Sequence, residues 1–365
     1  MRVLLAGGGT AGHINPAISI ADTIKKNEPD SKFLFVGTKN GMESRLVPKS
    51  GYDIEFVEVS GFKRKLTVKN ALAVLKAVGA VAKCRKIIKN FKPDVVIGTG
   101  GYVSGPLLFA ASAMKIPTLI HEQNVFAGLT SKMLSSKVDT VCISFEDSRK
   151  RFDKAKKVVL TGNPIRQELF DLDYSQARAK LGIDENPLLV SFGGSLGATR
   201  LNESMTAYIK TLTEGKYNVL FATGEREYDK VSSELSGIDK KGVQVVKYIY
   251  NMKEVMQAAD LLVCRAGAIT VSEINALGKP SVLIPSPNVT DNHQFFNAKA
   301  LVDKNAAVMI EEKDLNDKNF CNTVNNLLEN PSVLAEMGSN SKIMGIKNAN
   351  DLIYKEIKKI NKATR

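Results

Sequence analysis

VCRAGAITVSEINALGKP, Val263–Pro280, decides how this chain folds. The apolar run Leu261–Val263 ends in a polar loop holding Arg265 and Gly267, and a helical pattern carrying Thr270 and Glu273 follows. A strand that runs through a glycine loop into a helix start aims backbone N–H groups at one point. Such a point suits a phosphate, because those donors lack helical acceptors and sit at the positive end of the helix dipole. Glu273, three residues past Thr270 and within the first turn, can accept protons from the two hydroxyls of a ribose while Thr270 stays near the phosphates. The plainer alternative is a Thr-x-x-Glu capping box that only starts a helix.

Three more loops of the same kind flank this reading. RVLLA (Arg2–Ala6) runs into GGGTAGH (Gly7–His13) and an amphipathic helix from about Pro16 to Lys26. DVVIGTGGYVSGP spans Asp94–Pro106, with the apolar pattern LLFAASAMK behind it. LLVSFGGSLGATRLNESM spans Leu188–Met205. Strand, glycines and helix in this order mark βαβ units, so the fold class is α/β with parallel sheets flanked by helices. Two loops fall in each half of the chain, all at carboxyl ends of strands, where open α/β sheets bind ligands. Gly7, Gly9 and Gly12 also fit G-x-G-x-x-G. A dinucleotide enzyme would then carry an acid at the end of the second strand. KFLFV (Lys32–Val36) is followed by Gly37-Thr38-Lys39, so a nicotinamide cofactor is not expected.

Length and composition set the outer bounds. The chain has 365 residues, 44% hydrophobic and 24% charged, which suits two ordinary soluble domains with large cores. No apolar run reaches the eighteen or more residues of a membrane span. The N-terminus enters a strand directly, so no signal peptide is expected. Cys84, Cys142, Cys264 and Cys321 are far apart and form no C-x-x-C, as in a cytosolic protein with reduced, mostly buried thiols. The three histidines are too scattered to join them in a zinc site, and neither a metal nor a cofactor is expected.

Charge is unevenly spread. Residues 1–163 hold 26 Lys+Arg against 13 Asp+Glu, the whole net charge of +13. Lys63–Lys92 carries ten basic residues and no acid. Leu72, Leu75 and Val78, with Val68 and Ala82, recur at helical spacing, and Lys65, Lys69, Lys76, Lys83 and Lys86 form a stripe beside them. Such a helix suits an anionic membrane surface, where each Lys or Arg contributes on the order of 1 kcal/mol. A solvated helix whose apolar face packs on the sheet is the plainer alternative, and part of it must hold. Nucleic acid usually wants interleaved aromatics. Only Phe62 and Phe91 edge this stretch, so no nucleic-acid partner is expected.

The join between the halves lies in TGNPIRQEL (Thr161–Leu169), where Asn163-Pro164 is a strong loop signal. The expected division is 1–163, 164–340 and a C-terminal helix, 341–365, packing back on the first domain. His13, His121 and His293 each fall at a strand-to-helix loop. A histidine at a helix N-terminus tends to stay neutral and can accept a proton.

The runs GGGTAGH, GTGGYVSGP, HEQN, AGLTSKML, TGNPIR, FGGSLGATRLN, CRAGAITVSE and DNHQFFNA resemble, in the same order from about Val3 to Ala300, the MurG family. These enzymes join N-acetylglucosamine to the lipid-linked muramyl pentapeptide of bacterial peptidoglycan. The resemblance implies a B-type glycosyltransferase fold, two Rossmann-like domains facing a cleft, with acceptor and membrane binding in residues 1–163 and donor binding in 164–340. It also implies UDP-N-acetylglucosamine as donor, undecaprenyl-pyrophosphoryl-N-acetylmuramyl pentapeptide as acceptor, anomeric inversion and no metal. The place implied is the cytoplasmic face of the cell membrane, attached peripherally to anionic inner-leaflet phospholipid.

Matching positions carry implied roles. Arg166 and Ser195 match donor-binding residues, the serine near the pyrophosphate, and Ile249 a residue whose backbone reads the uracil. Ala268, Ile269 and Thr270 match the helix start at the phosphates and sugar, Glu273 the ribose carboxylate, and Gln294 a contact to the sugar hydroxyls. Thr10, Ala11, Gly12 and Asn124 match donor-binding positions that face the cleft from the first domain. Gly8, Gly9, Gly100, Gly101, Tyr102 and Ser104 lie in loops that would hold the acceptor diphosphate. Arg265 would help stabilise the leaving UDP. His13 is the first candidate for general base and Glu122 the second. Thr-Ala-Gly replaces the common Thr-Gly-Gly, and His293 stands where some relatives carry a second glutamine. Aromatics found in the membrane patch of some relatives are absent. Another B-type enzyme making a membrane glycolipid, or a UDP-N-acetylglucosamine 2-epimerase-like enzyme, would share the donor half.

Overall fold

The computed structural model describes residues 1–59, 68–194, 197–238 and 241–362, with 68–76 described by backbone alone. Ser195 and the side chains of Lys65, Lys69, Leu72, Leu75 and Lys76 therefore lie outside the described residues. Contacts divide the chain into two units, 1–165 with 348–365, and 166–347. The division comes two residues after the expected join. The C-terminal piece starts at 348 and not 341, because the helix Pro331–Ile343 packs on the helix Ala268–Leu277 of the second unit. There Ser341 donates to Asn275 Oδ1 at 3.0 Å.

In the first unit seven parallel strands form one sheet: β1 (Arg2–Ala6), β2 (Lys32–Gly37), β3 (Ile54–Phe56), β4 (Val95–Gly98), β5 (Thr118–Glu122), β6 (Thr140–Ile143) and β7 (Val158–Leu160). Their order is β3-β2-β1-β4-β5-β6-β7. The second unit holds β8 (Leu188–Phe192), β9 (Asn218–Ala222), β10 (Val243–Val246), β11 (Leu261–Cys264), β12 (Ser281–Leu283) and β13 (Val308–Met309). They are also parallel, in the order β10-β9-β8-β11-β12-β13. The central strands are almost wholly buried, which is why they read as near-continuous apolar runs and not as alternations. Each sheet reverses its order once, between β1 and β4 and between β8 and β11. These switch points are where doubly wound sheets bind ligands, and all four glycine loops leave those four strands.

One core of the first unit joins Val3, Leu5 and Ile97 to Ile14, Ile20 and Ile24, and the C-terminal helix Ala349–Lys362 adds Ile353, Ile357 and Ile360. Each fully buried isoleucine contributes roughly 1.5–3 kcal/mol against exposure. Tyr354 and Lys358 of this helix also bond Glu28, and Lys157 bonds Glu356 at 2.5 Å. The opposite face packs Leu4, Val96, Leu107 and Ile120 against Ala80, Cys84, Ile87 and Ile88 of the helix Val68–Phe91. This 80/84/87/88 face differs from the expected apolar stripe. Val78 is 64% exposed and Ala82 and Lys83 are exposed, so the described part of that stripe does not pack on the sheet.

The first helix runs from Ala11 to Asn27, starting five residues before the expected Pro16. Pro16 is accommodated inside it, at the cost of the helical donor that the Gly12 carbonyl would otherwise receive. Cys84, Cys142 and Cys264 are buried free thiols. Among the described residues no helix is long and apolar enough to cross a membrane.

Candidate active site

At the switch point of the second unit, β11 ends at Cys264 and the helix Ala268–Leu277 starts after Gly267, its extended N-cap. Thr270 is thus the third helical residue and makes no capping box. Glu273 falls in the second turn and not the first. The opening turn presents N–H groups that have no acceptors within the helix. Glu273 points off the next turn and is only 4% exposed. Arg166 holds it with two hydrogen bonds, Nε to Oε1 at 2.9 Å and Nη2 to Oε2 at 3.2 Å. Burial raises the Glu273 carboxyl above its ordinary pKa, and the bonds from Arg166 oppose that rise. Each carboxylate oxygen keeps a second lone pair for another donor.

Beside this helix start lies a cavity of about 490 Å³, lined by Gly193, Gly194, Gly197, Arg265, Gln294 and Glu312 among others. It brings together the third and fourth glycine loops and the N-terminus of the helix Thr199–Thr211. Gln294 accepts from the Ser286 N–H at 2.9 Å through Oε1, so its amide NH₂ is the group left to donate elsewhere. Asp291 and Asn292 precede it in the left-handed region, which turns the chain sharply into the helix His293–Val302. Ile249 follows β10 at the same carboxyl edge and is buried. A second cavity, about 550 Å³, opens at the opposite edge against Pro187, Asp260 and Lys279, where doubly wound sheets do not bind ligands.

Arg265 does not present a spare charge. Its Nη2 lies 2.6 Å from Glu312 Oε2, and Nη1 donates to the carbonyls of Ile284 at 3.1 Å and Pro285 at 3.2 Å. Its work is to hold the 284–286 loop that Gln294 holds from the other side. Glu312 lies 47 positions away from Arg265, too far for sequence reading to pair them.

In the first unit the first two glycine loops interlock at β1 and β4. The His13 ring occupies the space a Gly100 side chain would fill, 2.7 Å from an ideal Cβ, and Gly100 has φ +108°. A side chain at Gly101 would overlap the Gly8 carbonyl, and the Tyr102 ring lies over Gly9. The expected phosphate cradle is partly closed. Gly9 N–H donates to Glu43 Oε2 at 3.1 Å, and Gly8 N–H reaches the Gly100 carbonyl at 3.4 Å. Ser104 is buried and spends its hydroxyl on the Gly101 carbonyl at 2.8 Å. Gly8, Gly9 and Ser104 therefore hold the loops in place. Glu43, which also takes bonds from Thr38 N and Oγ1 at 2.9 and 2.7 Å, was not expected. Burial raises its pKa and these bonds lower it, with a net lowering.

His13 is the third residue of its helix, after Thr10 as N-cap and then Ala11 and Gly12. Its Nδ1 lies 3.0 Å from Gln123 Oε1. Glu122, the second candidate base, is 3% exposed. It accepts from Asn124 N and Gly128 N, each at 3.1 Å, and from Asn124 Nδ2 at 3.4 Å. It closes the 122–128 loop, and it holds Asn124 while doing so. Three donors already engage this buried carboxylate, which favours His13 over Glu122 as the base.

Two Rossmann-like units, each with paired glycine loops at its switch point, define a nucleotide-dependent α/β enzyme. Residues 3–143 match the glycosyltransferase family 28 N-terminal domain, and residues 188–353 match its C-terminal domain. The chain belongs to glycosyltransferase family 28 and, within it, to the MurG family. A relative from Acetivibrio thermocellus is 50% identical over 364 residues, covering 99% of each chain. It is named UDP-N-acetylglucosamine–N-acetylmuramyl-(pentapeptide) pyrophosphoryl-undecaprenol N-acetylglucosamine transferase. A relative of the same name from Caldanaerobacter subterraneus subsp. tengcongensis is also 50% identical, over 99% of this chain and all of its own. The solved structure of Acinetobacter baumannii MurG superimposes with a TM-score of 0.83 at 30% identity, covering 98% of this chain and 99% of that one.

Proposed function

We infer that this chain transfers N-acetylglucosamine from UDP-N-acetylglucosamine to the C4 hydroxyl of lipid-linked N-acetylmuramyl pentapeptide, with inversion at the anomeric carbon. The observation that carries the reading is the 50% identity, end to end, with a relative named for this transfer. The second unit binds the donor. The helix starts at Thr199 and Ala268 face the diphosphate with N–H groups, and the Ser195 hydroxyl adds a donor. Glu273 accepts from the ribose diol while the bonds from Arg166 oppose the effect of burial on its charge. Gln294 donates to the sugar, and the Ile249 backbone reads the uracil.

The muramyl hydroxyl attacks from the face opposite UDP through an oxocarbenium-like transition state. His13 takes the hydroxyl proton. Negative charge grows on UDP and is met by Arg166 and the two helix starts, which are oriented before reaction. No step is assigned to a divalent metal, since none of the four glycine loops carries an Asp-x-Asp pair. Residues 1–165 with 348–365 serve the acceptor and an anionic phospholipid surface. Support for the surface is the basic run Lys63–Lys92 and the exposure of Val78 and Lys83 on its helix. The test is transfer of labelled N-acetylglucosamine from UDP-N-acetylglucosamine, in the presence of EDTA, into a soluble lipid-linked muramyl acceptor. Label in the acceptor with matching UDP release supports the reading. No incorporation overturns the transfer, and incorporation only after magnesium is added overturns the metal-free step.

A further inference from the structure

A histidine can take a proton only on a ring nitrogen that lacks one, and in this fold hydrogen bonds far from His13 decide which nitrogen that is. The chain starts at the Gly162 carbonyl, which can only accept. His121 Nε2 lies 2.9 Å from it, so that nitrogen carries hydrogen. The Ser144 hydroxyl, at 3.4 Å from the same nitrogen, has its own hydrogen directed to the Glu122 carbonyl or Asn163 Oδ1, at 2.8 and 2.9 Å. His121 is fully buried, and burial pulls its pKa down to about 4 against the bond to Gly162, so it stays neutral near pH 7. A neutral imidazole with hydrogen on Nε2 presents a bare lone pair at Nδ1.

Gln123 reads that lone pair. Its Nε2 lies 2.9 Å from His121 Nδ1 and 2.9 Å from the His121 backbone carbonyl. The carbonyl is an acceptor only, so the amide must turn its NH₂ to this side, and both N–H groups find partners. A flipped amide would set its oxygen against a carbonyl and a lone pair in a buried place, where unmatched polar groups are costly. The backbone of Gln123 is fixed as well, by Asn163 Nδ2 at 3.0 Å from its carbonyl. Gln123 Oε1 therefore faces the other way, toward His13 Nδ1 at 3.0 Å. An amide oxygen also accepts only, so His13 Nδ1 must be the donor.

We propose that Gln123 and His121 are positioning residues that lock neutral His13 with its hydrogen on Nδ1 and leave Nε2 as the basic nitrogen. The proposal rests on His13 as the general base. In the step it serves, the acceptor O–H bond breaks and an Nε2–H bond forms. The new C1–O bond replaces the bond from C1 to the UDP oxygen, which leaves with the electron pair. The resulting imidazolium keeps its Nδ1–H bond to Gln123 and returns the Nε2 proton to water. A carboxylate in this place could also orient the ring, as in serine proteases, but would add a negative charge beside His13. The amide orients without charge.

The chain's three histidines make the test direct. With ¹⁵N-histidine label, long-range ¹H–¹⁵N spectra of the intact protein near pH 7 report both nitrogens of each ring. We expect His13 protonated at Nδ1 and His121 at Nε2. Gln123→Leu keeps the bulk but removes the acceptor, so His13 should become a mixture of both tautomers. Its kcat should drop ten- to a hundredfold with the donor KM within threefold. Gln123→Glu offers an oxygen to His13 again and should restore the Nδ1–H tautomer, but its second oxygen meets the His121 carbonyl and Nδ1 without an N–H to give, so this variant should also melt at a lower temperature than the parent. Wild-type His13 protonated mainly at Nε2 would overturn the proposal, even if neither variant folds. So would a Gln123→Leu protein whose His13 tautomer matches the parent. Failure of the base assignment itself would read differently: His13→Ala would keep its turnover while the wild-type tautomer signature stayed as described.

Discussion

Arg166 and Glu273, 107 residues apart in sequence, meet in a two-point ion pair with bonds of 2.9 and 3.2 Å. The carboxylate is buried and the guanidinium is half exposed. The arginine's bonds thus oppose the upward pull of burial on the Glu273 carboxyl, which is proposed to bind the ribose. Glu273→Ala should raise the donor KM roughly 10- to 150-fold, equivalent to about 1.5–3 kcal/mol for charge-assisted bonds. The acceptor KM should stay within a few-fold. Arg166→Ala should also weaken the donor, and the double variant should lose less than the sum, because the two residues act as one unit. An unchanged donor KM in Glu273→Ala removes the carboxylate from the ribose.

His13→Ala should lower turnover by about 10²–10⁴-fold, the usual effect of losing a general base. UDP binding by calorimetry should be unaffected, since His13 lies in the first unit and the glycine loops proposed to hold the diphosphate lie in the second. Glu122→Ala should instead lower the melting temperature by loosening the 122–128 loop. Turnover within a few-fold of the parent in His13→Ala, with Glu122→Ala folded but inactive, would move the base to Glu122.

Acid should weaken the first unit through His121. Its folded pKa, about 4, lies below the ordinary value near 6.5. Between those values the unfolded chain binds a proton that the folded chain refuses, so stability falls as pH drops from about 6.5 to 4. The share of this one residue is on the order of 3 kcal/mol. Urea unfolding of the parent and of His121→Asn at pH 7 and pH 5 isolates it. Glu28, Glu43 and Glu356, all with lowered pKa, lose their stabilising charge at lower pH in both proteins. A variant as acid-sensitive as the parent would contradict the burial account.

The basic helix should govern attachment to lipid and not chemistry. Reversing Lys69, Lys76 and Lys83 to Glu should abolish binding to anionic vesicles and leave turnover on a short-chain soluble acceptor near normal. Parent binding should weaken with salt, since screening shortens to about 10 Å at 0.1 M. Salt-indifferent binding, or a triple variant that binds like the parent, would make this stripe an ordinary solvated face.

The sheets, the paired loops and the donor helix were legible because each is local: an apolar run, glycines and a helix start within about twenty residues. What escaped is long-range pairing. Nothing in GMESR marks Glu43 as the acid beneath the first glycine loop. Gln123 lies 110 residues from His13, and only the folded sheet brings β5 beside the first loop. The backward fold of Asn124 and Gly128 onto Glu122, the second candidate base, has no sequence signature. Arg265 looked like a free cation until Glu312 was found beside it. The capping-box alternative at Thr270 failed because Gly267 begins the helix three residues earlier.

The central claim is inverting transfer to the muramyl C4 hydroxyl, and the structure of the product tests it most directly. The protein should be incubated with UDP-N-acetylglucosamine and a soluble, short-chain polyprenyl pyrophosphoryl-muramyl pentapeptide, and the product examined by proton NMR. The account predicts a single new N-acetylglucosamine joined to C4 of the muramyl sugar, with the large H1–H2 coupling of a β-glycoside. An α-linked sugar, a linkage at another hydroxyl, or conversion of the donor to its 2-epimer without transfer would contradict it.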